Sequence, residues 1–257
     1  MTKEMTYTPL QQALAVDQLE PSRSTTSRLF SEKPLLITRT FFSVCYLFVF
    51  IFHILNGPDE AYLYLGFLTY LSYYGIFAYV LVSTYLSWRA YLCPSTYVPW
   101  KNQHWIFPFL YFLHYELNTL LAFVVTAVYW SLLASDDLAA NSSPMYLFLS
   151  VSMHAVNSVI MWSEAIFGNN PIVLRHFPII LFITLIYVPY AFVLHARYGI
   201  WIYPFLDYVT DPKTTVLTIL GIVVISSSFY GATYILHSTR DKHIARRNSH
   251  QAYDITA

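Results

Sequence analysis

Charge is what this chain has least of. Only 11% of its 257 residues are Asp, Glu, Lys or Arg, against about a quarter in soluble domains. That scarcity excludes an ordinary water-facing surface. The formal net charge is zero, so bulk electrostatics gives nucleic acid no handle. Two cysteines, Cys45 and Cys93, are too few for a disulfide scaffold. Both read as free thiols, with Cys93 at a juxtamembrane position where acylation is also chemically open. No short apolar segment with a cleavage site opens the chain, so the first long apolar run is expected to act as a signal anchor. Internal repeats and low-complexity tracts are lacking. The nine histidines contain no pair at one-turn spacing, which metal and haem sites on helices usually show. No cofactor or metal is expected.

What the chain has is hydrophobic and aromatic surface. Hydrophobic residues make up 56% and aromatics 19%, including 23 tyrosines, and mean hydropathy is +0.47. Apolar stretches recur at 35–55, 62–87, 106–133, 144–167, 172–195 and 214–237. A helix crosses about 30 Å of hydrocarbon with roughly 20 residues, and only a helix satisfies its own backbone there without a barrel. These observations predict an all-α, polytopic membrane protein, a bundle of six transmembrane helices over residues 35–237. Residues 1–34, polar and rich in Ser and Thr, are expected to be a disordered tail. Residues 238–257 form a basic C-terminal tail. Pro189 is expected to kink the fifth span, and Ser227 with Gly231 offers a small-xxx-small face for close packing in the sixth.

Orientation follows from basic residues. With a cytosolic N-terminus, 12 of the 14 Lys and Arg fall on the cytosolic side, and only Arg197 and Lys213 on the other. This bias predicts both termini in the cytosol, in the endoplasmic reticulum or plasma membrane. The outer connections NGPDEA and SDDLAANSSP are acidic, and Asn141-Ser142-Ser143 within the second is a glycosylation sequon on that side.

Polar groups inside the spans carry the functional signal, because hydrocarbon makes them expensive. His154 lies about ten residues from either end of the fourth span, the deepest histidine. Thr69 lies about seven residues below the same outer surface in the second. The two depths, roughly 15 Å and 10 Å, allow contact if those spans pack together. A hydroxyl beside an imidazole is the minimum for nucleophilic acyl transfer; a hydroxyl bonded back to its own helix, and a histidine bonded to a neighbour, are the ordinary alternatives. Asn157, one turn after His154, is placed in the substrate site to orient the imidazole or to donate to an oxyanion; an interhelical hydrogen bond is the ordinary alternative. Glu164, ten residues beyond His154, is too far to serve as its carboxylate. The segment HARYGIWIYPFLDYVTDP puts His195, Trp201 and Tyr203 at the outer end, either as an interfacial aromatic belt or as the cover of a lipid-binding cavity.

Ordered together, five segments resemble one family over roughly residues 60–240. GFLTY around Thr69, AVYWSLLASD from Ala127 to Asp136, SMHAVN around His154 and LHARYGIWIYPFLDYV from Leu194 to Val209 resemble the androgen-induced-gene family of six-span membrane hydrolases, which includes the androgen-dependent TFPI-regulating protein. NSVIMWSEAIFGNNPI, from Asn157 to Ile172, is closer to the related rolling stone proteins. The resemblance implies a metal-independent threonine-type ester hydrolase acting on fatty acid esters of hydroxy fatty acids or similar lipids. Thr69 would be nucleophile and His154 base, with His195 at the mouth of the loop. The chain departs after His154, carrying Ala-Val-Asn where the family has hydroxyl-bearing residues. The rolling stone branch implies instead a non-catalytic protein of membrane fusion or lipid organisation.

Overall fold

The computed structural model describes residues 7–27, 29–56 and 65–256, with side chains to residue 242. It is helical, with no strand among the described residues. The long elements are α2 (Glu32–Asn56), α3 (Leu68–Leu92), α4 (Ile106–Val128), α5 (Ala134–Ala140), α6 (Pro144–Val151), α7 (Asn157–Phe167), α8 (Phe177–Leu185), α9 (Tyr187–Tyr198) and α10 (Pro212–Thr256). A π-turn, Tyr129–Leu133, joins α4 to α5, and a second, Ser152–Val156, joins α6 to α7. Five of the resulting continuous helices are long and apolar enough to cross a membrane. The second predicted span, 62–87, falls on α3, which is not among these five. Its 25 residues reach about 37 Å, but six tyrosines and five Ser/Thr lower its hydropathy. Many of those side chains are buried because α3 runs through the middle of the bundle, packed on α2, α4 and α7. The NGPDEA connection, residues 56–61, lies almost wholly outside the described residues.

The third span is longer than expected. It continues through the π-turn to Ala140, so half of the predicted acidic loop is helix. Ser143 caps α6 by accepting from the Tyr146 amide. The fifth span breaks at Ile186, three residues before Pro189. Proline offers no N–H to the carbonyl one turn back and its ring collides with it, which ends α8 at Leu185. Gly199 takes φ +73 and closes α9 in the left-handed conformation. The Ser227–Gly231 face makes no close helix contact: a Cβ added at Gly231 would meet nothing within 4 Å, and Ser227 bonds back to Val223. α10 continues through 238–256, where a separate tail was predicted.

The predicted tail is also folded where it is described. α1 (Pro9–Ala13) and two 3₁₀ turns, Val16–Gln18 and Pro21–Thr25, lie against one end of the bundle. Ala15, Val16 and Leu19 are buried in the main core, enough apolar surface to offset part of the ordering cost. Two polar networks hold this end. Arg39 of α2 is 0% exposed and grips both carboxylate oxygens of Glu164 in α7, with each bond at 2.8 Å. Its third nitrogen donates to the Ser24 carbonyl and the Ser87 hydroxyl, also at 2.8 Å. Tyr79 of α3 donates to Glu164 at 3.0 Å and accepts from Asn170 at 2.7 Å. Beside it, Glu116 bonds His176 at 2.8 Å and Tyr230 at 2.5 Å, and the other nitrogen of His176 meets the Leu14 carbonyl at 2.9 Å. Arg39, counted among the cytosolic charges from the sequence, is thus an internal cation.

Breaking a buried ion pair on one side strands the other charge. Glu164→Gln is expected to destabilise the protein by about 3 kcal/mol, read by thermal unfolding in detergent micelles. Arg39→Met with Glu164→Met should recover most of the loss. A single variant as stable as wild type would show that the pair carries no such weight.

Candidate functional site

At the opposite end of α3 the helix begins abruptly. Phe67 is extended, with φ −83 and ψ 133, and Leu68 opens the helix. Thr69 is therefore the second helical residue, where backbone N–H groups lack intrahelical partners. Gly66 permits this break to sit against the loop after α9, since a Cβ there would come within 2.9 Å of Ile202. Tyr187 donates to the Gly66 carbonyl at 2.7 Å. The loop itself turns inward, burying Ile202, Tyr203 and Leu206.

His154 lies within the second π-turn. A π-turn disturbs the regular backbone pairing, and here the His154 carbonyl accepts from the Thr126 hydroxyl at 2.6 Å and the Trp130 indole at 3.3 Å. The imidazole Nδ1 is 2.9 Å from the Ser150 carbonyl. A carbonyl only accepts, so Nδ1 carries the proton and Nε2 is the basic nitrogen. Nε2 lies 3.2 Å from Thr69 Oγ1. With that tautomer, the threonine hydroxyl donates to the histidine.

The imidazole is held from one face as well as by its edge. Tyr129, in the first π-turn, stacks on it with ring centroids 3.5 Å apart and planes 11° from parallel. Tyr129 hydroxyl bonds Ser150 Oγ at 2.5 Å and Asp137 at 2.7 Å, and Tyr146 donates to the other oxygen of Asp137 at 2.5 Å. The stacked rings are thus tied to α5 and α6.

Thr69 and His154 line a cavity of about 760 Å³, within the range of small-molecule sites, about 300–1,000 Å³. Its wall includes Tyr129, Asp136, Asp137, Tyr146, Ile202, Tyr203, Phe205 and Asp211. Asp211 is exposed, and hydrogen bonds from Thr214 hold its carboxyl below the usual range. Among the described residues no group of three or more His, Cys, Asp or Glu is arranged to hold a metal.

The other residues expected at the site are divided. Tyr203 lines the cavity. Asn157 does not: its carbonyl accepts from Tyr46 at 2.5 Å and its amide donates to the Met153 carbonyl at 2.8 Å, so it is a buried strut between α7 and α2. His195 and Trp201 stack on each other at 3.7 Å, away from the cavity wall. Trp201 packs further on Phe192 and Tyr208, as an aromatic cluster around the loop. Sequence reasoning passed over Tyr129, Ser150, Asp137 and Tyr146. Ser150 sits one turn before His154, a spacing that was legible; the tyrosines carry no signal in so aromatic a chain. Ser158, also one turn beyond His154, donates across to the Ala122 carbonyl at 2.8 Å.

No protein-family model, curated protein or solved structure matches the chain significantly. The site therefore stands on its own geometry.

Nitrogen-15 NMR of histidine-labelled protein is expected to show His154 protonated on Nδ1, the tautomer set by the Ser150 carbonyl. A proton on Nε2 would reverse the donor direction between Thr69 and His154.

Proposed function

We propose that this protein is an intramembrane hydrolase of lipid esters, with Thr69 as nucleophile and His154 as general base. One observation carries the reading: the unprotonated nitrogen of a ring-stacked histidine faces a threonine hydroxyl at 3.2 Å inside a cavity large enough for part of a lipid. Threonine alone is a weak nucleophile and needs a base of this kind.

The steps follow from the donor direction. Thr69 Oγ1 attacks the acyl carbon while its proton passes to His154 Nε2. The imidazolium formed keeps its Nδ1 bond to the Ser150 carbonyl and lies against the Tyr129 ring, an arrangement that favours a cation. Collapse of the tetrahedral intermediate expels the alcohol, which takes the proton from Nε2. Water, activated by the same nitrogen, releases the acid and restores Thr69. The balance of basic residues supports six spans with both termini cytosolic, α3 being the span that its tyrosines disguise. This reading agrees with the resemblance to the androgen-induced-gene family.

A second reading, a rolling stone-like non-catalytic protein, is favoured by one feature. The NSVIMWSEAIFGNNPI segment is spent on structure, through Asn157 on Tyr46, Glu164 on Arg39 and Asn170 on Tyr79. A mechanism-based probe separates the two readings.

Purified wild-type protein in liposomes should cleave a long-chain ester and be labelled by a fluorophosphonate. Thr69→Ala should lose the label and at least about a thousandfold in turnover. Equal turnover by Thr69→Ala, or label retained elsewhere, would remove Thr69 from the chemistry.

A further inference from the structure

His154 commits its two ring nitrogens without meeting a carboxylate: Nδ1 bonds the Ser150 carbonyl and Nε2 faces Thr69. Glu164 is committed to Arg39. A carboxylate reaches the imidazole by another route, through Tyr129. Asp137 belongs to the acidic run that continues α4 past the π-turn as α5, and it lines the cavity. Its two oxygens accept from two tyrosines, Oδ2 from Tyr129 at 2.7 Å and Oδ1 from Tyr146 at 2.5 Å. The directions around Tyr129 are fixed. A carboxylate only accepts, so the single phenolic hydrogen points to Asp137. Ser150 then donates to the Tyr129 oxygen, at 2.5 Å. Ser150 Oγ lies 3.5 Å from Nδ1, a secondary contact beside the carbonyl bond of 2.9 Å. Coupling to the imidazole therefore runs through the ring face. The centroids of Tyr129 and His154 are 3.5 Å apart and the planes 11° from parallel. Neutral aromatic pairs prefer an offset or edge-on arrangement, with centroids about 4.5–7 Å apart. A cation over a ring face prefers the arrangement found here.

We propose that Asp137 is a positioning residue of the dyad: its carboxylate holds and polarises Tyr129, whose ring face stabilises the imidazolium that His154 becomes. The proposal rests on the hydrolase reading above. As the bond from Thr69 Oγ1 to the acyl carbon forms, the carbonyl π pair moves onto the carbonyl oxygen and the threonine proton moves to His154 Nε2. His154 then carries a positive charge against the Tyr129 ring. Asp137 draws on the phenolic hydrogen, which leaves more electron density on the phenolic oxygen and in the ring it feeds. Tyr129 keeps its proton throughout, and Asp137 gains none. When the alkoxide leaves with the proton of Nε2, the imidazole is neutral again. Tyr146 holds the carboxylate in place from α6. A tie between α5 and α6 alone would need an acceptor at Asp137 but no charge; the charge matters only where a cation forms.

The test uses full-length protein in liposomes and a long-chain 4-nitrophenyl ester. Asp137→Asn keeps an acceptor for Tyr129 and removes the charge. Its kcat should fall about tenfold, with KM within about threefold. Tyr129→Phe keeps the stacked ring and removes its link to Asp137, and should lose a similar factor. The double variant should lose no more than either single one, because both substitutions break one coupling. Unchanged kcat in Asp137→Asn, or losses that multiply in the double variant, would overturn the role. A long-chain trifluoromethyl ketone adds to Thr69 and leaves the threonine proton on His154. Nitrogen-15 NMR of that adduct should show His154 protonated on both nitrogens in wild type, and in a smaller fraction of Asp137→Asn at the same pH. A mere tie between helices leaves the two fractions equal, which overturns the proposal. Should the variants not fold, wild type answers alone. The ¹³Cζ resonance of Tyr129 should move on binding the ketone and stay on binding the matching ether, and no difference overturns the proposal. If wild type neither cleaves the ester nor forms the ketone adduct, the hydrolase reading itself fails. Cleavage that survives Asp137→Asn unchanged removes only Asp137.

Discussion

The buried pair of Arg39 and Glu164 is the constraint on which the remaining structure depends. A guanidinium and a carboxylate inside a bundle are tolerable only together, with their remaining valences filled. Filling them recruits Tyr79 and Ser87 from α3 and the Ser24 carbonyl from the N-terminal segment. α2, α3 and α7 are thereby fixed in register. Tyr79 meets Glu164, and ten residues earlier on each helix Thr69 meets His154. The two contacts are rungs of one ladder between parallel helices, about 15 Å apart along the axis. The Tyr79–Glu164 rung sets the sliding and rotation of α3 against α7, and the Thr69–His154 rung inherits that setting. Thr69 and His154 need no strong attraction of their own to stay in reach.

Around the Thr69–His154 contact, rigidity is supplied by aromatic rings and by irregular backbone. Tyr129 fixes the plane of the imidazole, the Ser150 carbonyl fixes its tautomer, and the loop carrying Tyr203 closes over the start of α3. Tyr129 opens a π-turn, Ser150 lies two residues before the other, and Tyr203 caps a 3₁₀ turn. Regular helix carries the load between them. The division suits a membrane, where irregular backbone survives only if side chains or buried hydroxyls satisfy it, as Thr126 and Trp130 satisfy the His154 carbonyl.

Much of this was legible in the residues, and the failures have physical causes. Helical class and the five helices long and apolar enough to cross a membrane follow from apolar runs of the length that hydrocarbon thickness demands. The candidate pair follows from depth, because depth along a helix is counted in residues. Rotation about the helix axis is not counted so simply, and this is where expectations diverged. Asn157 shares a turn with His154 yet points to Tyr46; Gly231 offers a small face to no neighbour. The N-terminal segment reads as a polar tail since Ala15, Val16 and Leu19 are its fully buried apolar residues, too short a pattern to show a period, and its other anchors are backbone and polar contacts. α3 is less apolar than the other long helices because of its six tyrosines and five Ser/Thr, of which Tyr73 and Tyr79 spend their hydroxyls inside the bundle.

The two π-turns have a consequence for how this chain can change. Each amounts to one residue inserted into a helix. Removing that residue would restore regular backbone but rotate everything beyond it by about 100°. Loss of the Ser152–Val156 turn alone would swing either the imidazole or Glu164 off its rung, since one lies in the turn and the other beyond it. Loss of the Tyr129–Leu133 turn would carry Asp137 away from the tyrosines it joins. Single-residue deletions at these two places are therefore coupled to the dyad in a way that ordinary loop deletions are not. A homologue aligned without a gap across both turns has the geometry to keep the stacked rings, and one with a gap at either has had to rebuild them.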